Sequence, residues 1–101
     1  MDLMQVFWKR RALADLDRIA THIAENDRQA ARNVVRRLHE AVALLKVQPR
    51  AGRIGRLEGT RELVISSLPY ILAYLIGANG KELEILAVFH DRQKWPDTPI
   101  K

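Results

Sequence analysis

Four side chains able to do chemistry close the last apolar run of this 101-residue chain: His90, Asp91, Arg92 and, three positions on, Trp95. An imidazole exchanges its proton near neutrality, and a guanidinium offers a rigid fork of donors to carboxylate or phosphate. Arg and Trp together are enriched where proteins grip other proteins. Polar and cationic groups at the end of a buried strand mark a working surface, and residue type alone leaves three uses open: cutting, binding or packing. The other two histidines, His22 and His39, stand on helical stretches with no ligand-type residue at i+4, and the chain has no cysteine. No metal site, disulfide or thiol nucleophile is therefore expected. The glycines at 52, 55 and 59 are not followed by the Gly-Lys-Ser/Thr that would make a phosphate loop, and no cofactor is expected.

The elements that must position these groups are readable from periodicity. Gln5 to Trp8 is a short apolar strand. From about Ala12 the period becomes helical, with Ala12, Leu16, Ile19, Ala20 and Ile23 on one stripe and Asp15, Asp17, Arg18 and Glu25 mostly off it. This helix is expected to end near Asn26, a residue tolerant of a left-handed cap. Asn26 with Gln29 resembles a capping box for a second helix from about Arg28 to Val47, whose stripe is Ala31, Val34, Val35, Leu38, Ala41, Val42 and Leu45. The connection is so short that the helices form an antiparallel hairpin. Pro49 stops the second helix, and a loop carrying Arg50, Arg53 and Arg56 follows.

Three strands are then expected. Residues 61–66 put Leu63 and Ile65 on one face and Glu62 and Val64 on the other. Tyr70 to Ile76 is apolar on both faces, as a central strand is. Asn79-Gly80 signals a tight turn into Glu82 to His90, with Leu83, Ile85, Ala87 and Phe89 on one face and Glu84, Leu86, Val88 and His90 on the other. The tail from about 91 reads as irregular. The result is a single α+β domain over 1–101, β-α-α-β-β-β, with a helical hairpin packed on one face of a mostly antiparallel sheet. The opposite face, carrying Leu72, Tyr74, Leu86 and Val88 or their strand neighbours, is expected to be left uncovered and so to meet a partner.

Composition sets the class: 48% hydrophobic and 29% charged residues suit a globular domain. A net charge of +5 favours anionic partners. The leading segment MDLMQVFWKRR has its charges after its apolar run, the reverse of a secretory signal, and no apolar stretch nears the roughly 18 residues that span a bilayer. A cytoplasmic location is the expectation.

Taken in order, several local sequences resemble the RelE/ParE superfamily of bacterial type II toxins. They are Ala14-Asp15-Leu16-Asp17-Arg18-Ile19, Pro49-Arg50-Ala51-Gly52-Arg53, Gly59-Thr60-Arg61-Glu62-Leu63-Val64 and Pro69-Tyr70-Ile71-Leu72-Ala73-Tyr74. The last is Ile85-Leu86-Ala87-Val88-Phe89-His90-Asp91-Arg92 with Trp95-Pro96. The resemblance implies a toxin neutralised by a cognate antitoxin, ribbon-helix-helix-like at its DNA-binding end, whose flexible C-terminal segment wraps the toxin. Leu72, Tyr74, Leu86 and Val88, with the loop cations Arg53 and Arg56, are the expected antitoxin contacts.

Two activities share this fold. RelE-like members cleave messenger RNA on the ribosome, whereas ParE-like members inhibit DNA gyrase and stop replication. Metal-free RNA cleavage needs a base, charge stabilisation and an acid, and His90, Arg61, Arg92 and Tyr74 are the candidates. RelE-like chains place an arginine directly after the aromatic of the third strand, where this chain has Ile71. They place basic residues along the strand that here carries Glu62, Val64 and Ser66. The resemblance therefore implies a ParE-like gyrase inhibitor whose growth arrest needs no catalytic residue, with Arg92, Lys94 and Trp95 as target contacts. A RelE-like ribosome-dependent nuclease is the alternative, and a degenerate member that only binds antitoxin is a third.

Overall fold

The computed structural model describes residues 3–96. In chain order its elements are β1 (Gln5–Trp8), α1 (Arg10–Ala24), α2 (Arg28–Val47), β2 (Arg53–Ile54), β3 (Arg61–Val64), β4 (Tyr70–Ile76) and β5 (Glu82–His90). The five strands form one sheet in the order β1-β5-β4-β3-β2. Every pairing is antiparallel except β1 with β5, which runs parallel. The two-residue β2 is the one element that periodicity did not announce, because two residues carry no period.

The helical hairpin forms as its stripes require, with one change at the join. Asp27, not Asn26, caps α2: its carboxylate accepts the Ala30 N–H at 3.0 Å, satisfying one of the helix's otherwise orphan donors. Asn26 is not left-handed; among the described residues other than glycine, Ser67 alone has a positive φ. The Asn79-Gly80 turn is as expected, with Gly80 at φ +73°, a conformation open to glycine without steric cost.

The sheet's two faces carry separate clusters. Against the helices lie Leu72, Tyr74, Leu83, Ile85 and Val88, packed with Ala12, Ile19, Val34, Leu38 and Leu45. The far face carries Ile71, Ala73, Leu86, Ala87, Phe89 and Trp95, with Leu57 and Leu75 alongside. Strict alternation along β5 fails in its middle. Tyr74 faces Ile85 but Ala73 faces Ala87, so Leu86 is an extra residue. This bulge turns Val88 onto the helix side and Ala87 and Phe89 away from it.

The expected face assignment is overturned in two ways: the bulge moves Val88 onto the helix side, and β4 itself turns Leu72 and Tyr74 towards the helices. Leu72, Tyr74 and Val88 are fully buried against the helices, and Leu86 is only 3% exposed within the far-face cluster. None of the four is an open partner surface. The far face is covered by the chain itself, because the segment after β5 folds back and lays Trp95 over it.

Candidate functional site

Asp15 is the residue that periodicity misplaced. Periodicity places it with the polar residues mostly off the apolar stripe, yet it is 3% exposed. Its Oδ2 accepts the Val88 N–H at 3.0 Å, while Arg11 Nε and Arg18 Nη2 donate to its Oδ1 at 3.1 and 3.0 Å. β1 pairs with β5 only as far as Ile85, so beyond it β5 has no strand neighbour on that side. The carboxylate takes that place and bolts α1 to the bulged strand. A signal did exist: Asp15 stands three residues after Ala12 and four before Ile19, flanked by arginines at i−4 and i+3.

The polar groups gathered at the sequence level fall into separate places. At the end of β5, His90 meets the edge of the Tyr70 ring at 5.7 Å between centroids. Its Nδ1 accepts the Arg92 N–H at 3.1 Å, with Asp91 Oδ1 3.0 Å from the same nitrogen. Arg92 and Lys94 are exposed in the turn that follows, whereas Trp95 is 5% exposed. Trp95 stacks on Phe89 at 5.0 Å with an interplanar angle of 14°. Arg11 lies over the Trp95 ring and Arg56 over the Phe89 ring. The expectation that Trp95 presents itself to a target is therefore corrected: it seals the far face of the sheet, where an uncovered aromatic would be costly to leave in water. Its Nε1 has no hydrogen-bond partner among the described residues.

Arg61 and Tyr74 lie elsewhere. Tyr70 pairs with His90, while Tyr74 pairs with Arg61 four residues further along β4, about 13 Å away at strand rise. The Tyr74 hydroxyl donates to Pro49 O at 2.6 Å and accepts the Gly52 N–H at 2.9 Å. Arg61 Nη1 donates to Gly52 O at 2.7 Å. Gly52 is required by this close approach, since a Cβ there would sit 2.7 Å from the Tyr74 hydroxyl. Burial raises the Tyr74 hydroxyl above the ordinary tyrosine range, against the opposing pull of the Gly52 N–H and the Arg61 charge. It stays protonated at neutral pH and pins the loop. His90, Arg61, Arg92 and Tyr74 do not converge. Tyr74→Phe is expected to cost about 2 kcal/mol by orphaning the Gly52 donor and the Pro49 acceptor, measured as a fall in the urea midpoint.

Arg53 and Arg56 are held as well. Glu62 is 2% exposed; its Oε1 accepts from Arg53 and Arg56 Nη2 at 3.2 and 3.0 Å, and its Oε2 from Arg56 N and Nε, both at 3.0 Å. Burial pushes the Glu62 carboxyl up, but the side-chain and backbone hydrogen bonds of Arg56 and that of Arg53 outweigh it, and the net effect lies below the usual value. The two arginines expected to greet a partner are first of all ligands of a buried carboxylate.

An open apolar surface lies on the outside of the hairpin. A groove of about 530 Å³ runs between α1 and α2, floored by Ala20, Ala24, Ala31 and Val35 and rimmed by Arg28, Arg32 and Arg36. The small residues were legible as a helix contact, but not as the floor of a groove. Among the described residues no group of three His, Cys, Asp or Glu side chains could hold a metal, and no helix is long and apolar enough to cross a membrane.

A helical hairpin bolted to a five-stranded mixed sheet, with its polar cluster at the end of β5, defines the small α+β toxin fold shared by RelE- and ParE-type proteins. The chain belongs to the family described as the ParE toxin of the type II toxin-antitoxin system parDE, whose model matches residues 6–95. It is 43% identical over 96 residues to the protein Y4kP of Sinorhizobium fredii, covering 95% of this chain and 97% of that one. It is 36% identical over 74 residues to toxin RelE2 of Caulobacter vibrioides, covering 73% of this chain and 82% of the relative. Among solved structures it is similar to the chromosomal ParDE toxin–antitoxin system of P. aeruginosa, with a TM-score of 0.76 and 30% identity over 87% of this chain and 96% of the other.

Proposed function

We propose that this toxin acts as a ParE-type inhibitor of DNA gyrase and that a cognate antitoxin neutralises it. The observation that carries the reading is the dispersal of the groups a metal-free nuclease needs. Arg61 and Tyr74 hold the loop at 49–52, Glu62 and Ile71 occupy positions where a nuclease wants cations, and His90 is left with Tyr70 and its own turn. Binding a protein target requires only an accessible surface. The exposed Arg92 and Lys94, in the turn between His90 and the buried Trp95, supply one.

The partner reading shifts with the geometry. The groove between α1 and α2, apolar on its floor and cationic on its rim, suits an antitoxin segment that is helical, apolar on one face and acidic on its flanks. The relative named for a ParDE toxin–antitoxin system supports such a partner.

The test pairs a gyrase supercoiling assay with cell-free translation read by primer extension. The expected result is inhibited supercoiling with intact messenger RNA, and at least about tenfold weaker inhibition by the Arg92→Ala, Lys94→Ala double variant. Messenger cleavage on the ribosome with gyrase untouched would overturn the proposal and restore the nuclease reading, to which the similarity with a RelE-named toxin lends support. Inactivity in both assays, without growth arrest on expression, would leave a chain that only binds its antitoxin.

A further inference from the structure

On the helix side of the sheet, away from the Trp95 seal, a cleft of about 360 Å³ opens between α1 and the end of β5. Arg18, Ile19, His22, Tyr70, His90 and Gln93 line it. Five of these six carry an N–H or O–H donor: a guanidinium, two imidazoles, a phenol and an amide. None of the six is a carboxylate. Donors from α1, β4, β5 and the turn after it line one space with no carboxylate among them, which is the chemistry of an oxyanion site.

The carboxylates nearby approach the lining groups rather than join them. Asp15 Oδ1 takes one Arg18 nitrogen at 3.0 Å and orients the guanidinium. Asp91 and Glu25 stand 3.0 and 3.4 Å from Nδ1 of His90 and His22 respectively. On each ring the described contacts engage Nδ1 and leave Nε2 for a ligand. The cleft is also preorganised. His90 is fixed by the Tyr70 ring and the Arg92 N–H, and Gln93 by its Oε1, which accepts the His90 N–H at 3.3 Å, leaving the amide N–H groups of Gln93 as donors.

We infer that this cleft binds a phosphate group, with Arg18, His22, His90 and Gln93 as its donors. The volume holds roughly a dozen waters, enough for a phosphate and the beginning of whatever carries it. That phosphate can arrive free in solution or as part of a single-stranded nucleic-acid backbone, and the same donors serve both. The site is independent of the gyrase reading and lies on the other face of the sheet from Trp95.

The test is an NMR titration of protein labelled in its histidine rings, with inorganic phosphate in one arm and a short single-stranded oligonucleotide in the other. His39, on α2 with its ring 5.9 Å from that of Trp8 and outside the cleft lining, serves as the internal reference. The expected result is that His22 and His90 signals move together along one saturating curve while His39 stays still. Saturation at lower phosphate-equivalent concentration in the oligonucleotide arm identifies the backbone as the source; equal saturation identifies free phosphate. His22→Gln, at a side chain 80% exposed on a helix and so without consequence for folding, is expected to weaken binding on the order of tenfold, the worth of one charge-assisted hydrogen bond. Unsaturated drift of all three histidines, no movement of His22 and His90, or an unchanged affinity in His22→Gln overturns the inference.

Discussion

Asp15→Ala is expected to destabilise the toxin by about 3–4 kcal/mol, the range seen when one partner of a buried ion pair is removed. The substitution leaves the buried Val88 N–H without an acceptor, a defect that alone costs about 1–3 kcal/mol. It also frees Arg11 and Arg18 from the carboxylate that orients them. Arg18 is largely in water and loses little; the larger loss lies at Val88 and Arg11. Asp15→Asn separates the two contributions, because an amide oxygen still accepts from Val88 while the charge is gone, and its cost is expected to be about 1–2 kcal/mol. Urea unfolding followed by tryptophan fluorescence and by circular dichroism measures both. An Asp15→Ala midpoint equal to that of the parent would show that the bolt between α1 and β5 contributes nothing. If Asn were as costly as Ala, the ion pairs rather than the Val88 bond would hold the helix to the sheet.

Asp15 also shows where sequence reasoning stopped. The hairpin, the central strand β4 and the Asn79-Gly80 turn were legible because each is local: a 3.6 period, an unbroken apolar run, a residue pair that tolerates positive φ. The bulge at Leu86 was not. Inserting one residue into β5 depends on the partner strand, and from that point every inward residue changes face. Val88 passed from the supposed partner surface into the core for that reason. The same logic hid the acid, since an aspartate on an apolar stripe reads as an error unless the unpaired N–H it must satisfy is known. At the candidate site, residue types were legible and convergence was not. Arg61 and His90 sit at opposite ends of β4's ladder, which only the register shows. Trp95 is the converse case: a tail read as irregular returns to cover a face that the strands alone leave bare.

Glu62→Gln is expected to cost about 3 kcal/mol at neutral pH and to remove the acid limb of the stability curve attributable to this site. The carboxyl of Glu62 lies below its ordinary value of 4.5 in the folded protein. Above that value the group is ionised in both folded and unfolded chains, and its full contribution is present. As pH falls towards the folded value the unfolded chain takes up the proton first, so stability declines and is lost once the folded carboxyl is protonated too. Thermal unfolding from pH 6 down to pH 3 should show the parent falling more steeply than Glu62→Gln, with the two converging at the acid end. Parallel curves would show that Arg53 and Arg56 do not stabilise the ionised carboxyl. The variant bears on function as well as stability. If those arginines act mainly by fixing the 53–60 loop, then freeing them loosens Arg56 from the Phe89 ring and, through the Phe89–Trp95 stack, the turn that carries Arg92 and Lys94. Gyrase inhibition by Glu62→Gln should then fall although no proposed target contact has been altered, whereas antitoxin binding in the α1–α2 groove should be retained. Loss of antitoxin binding with gyrase inhibition intact would instead make Arg53 and Arg56 partner contacts in their own right.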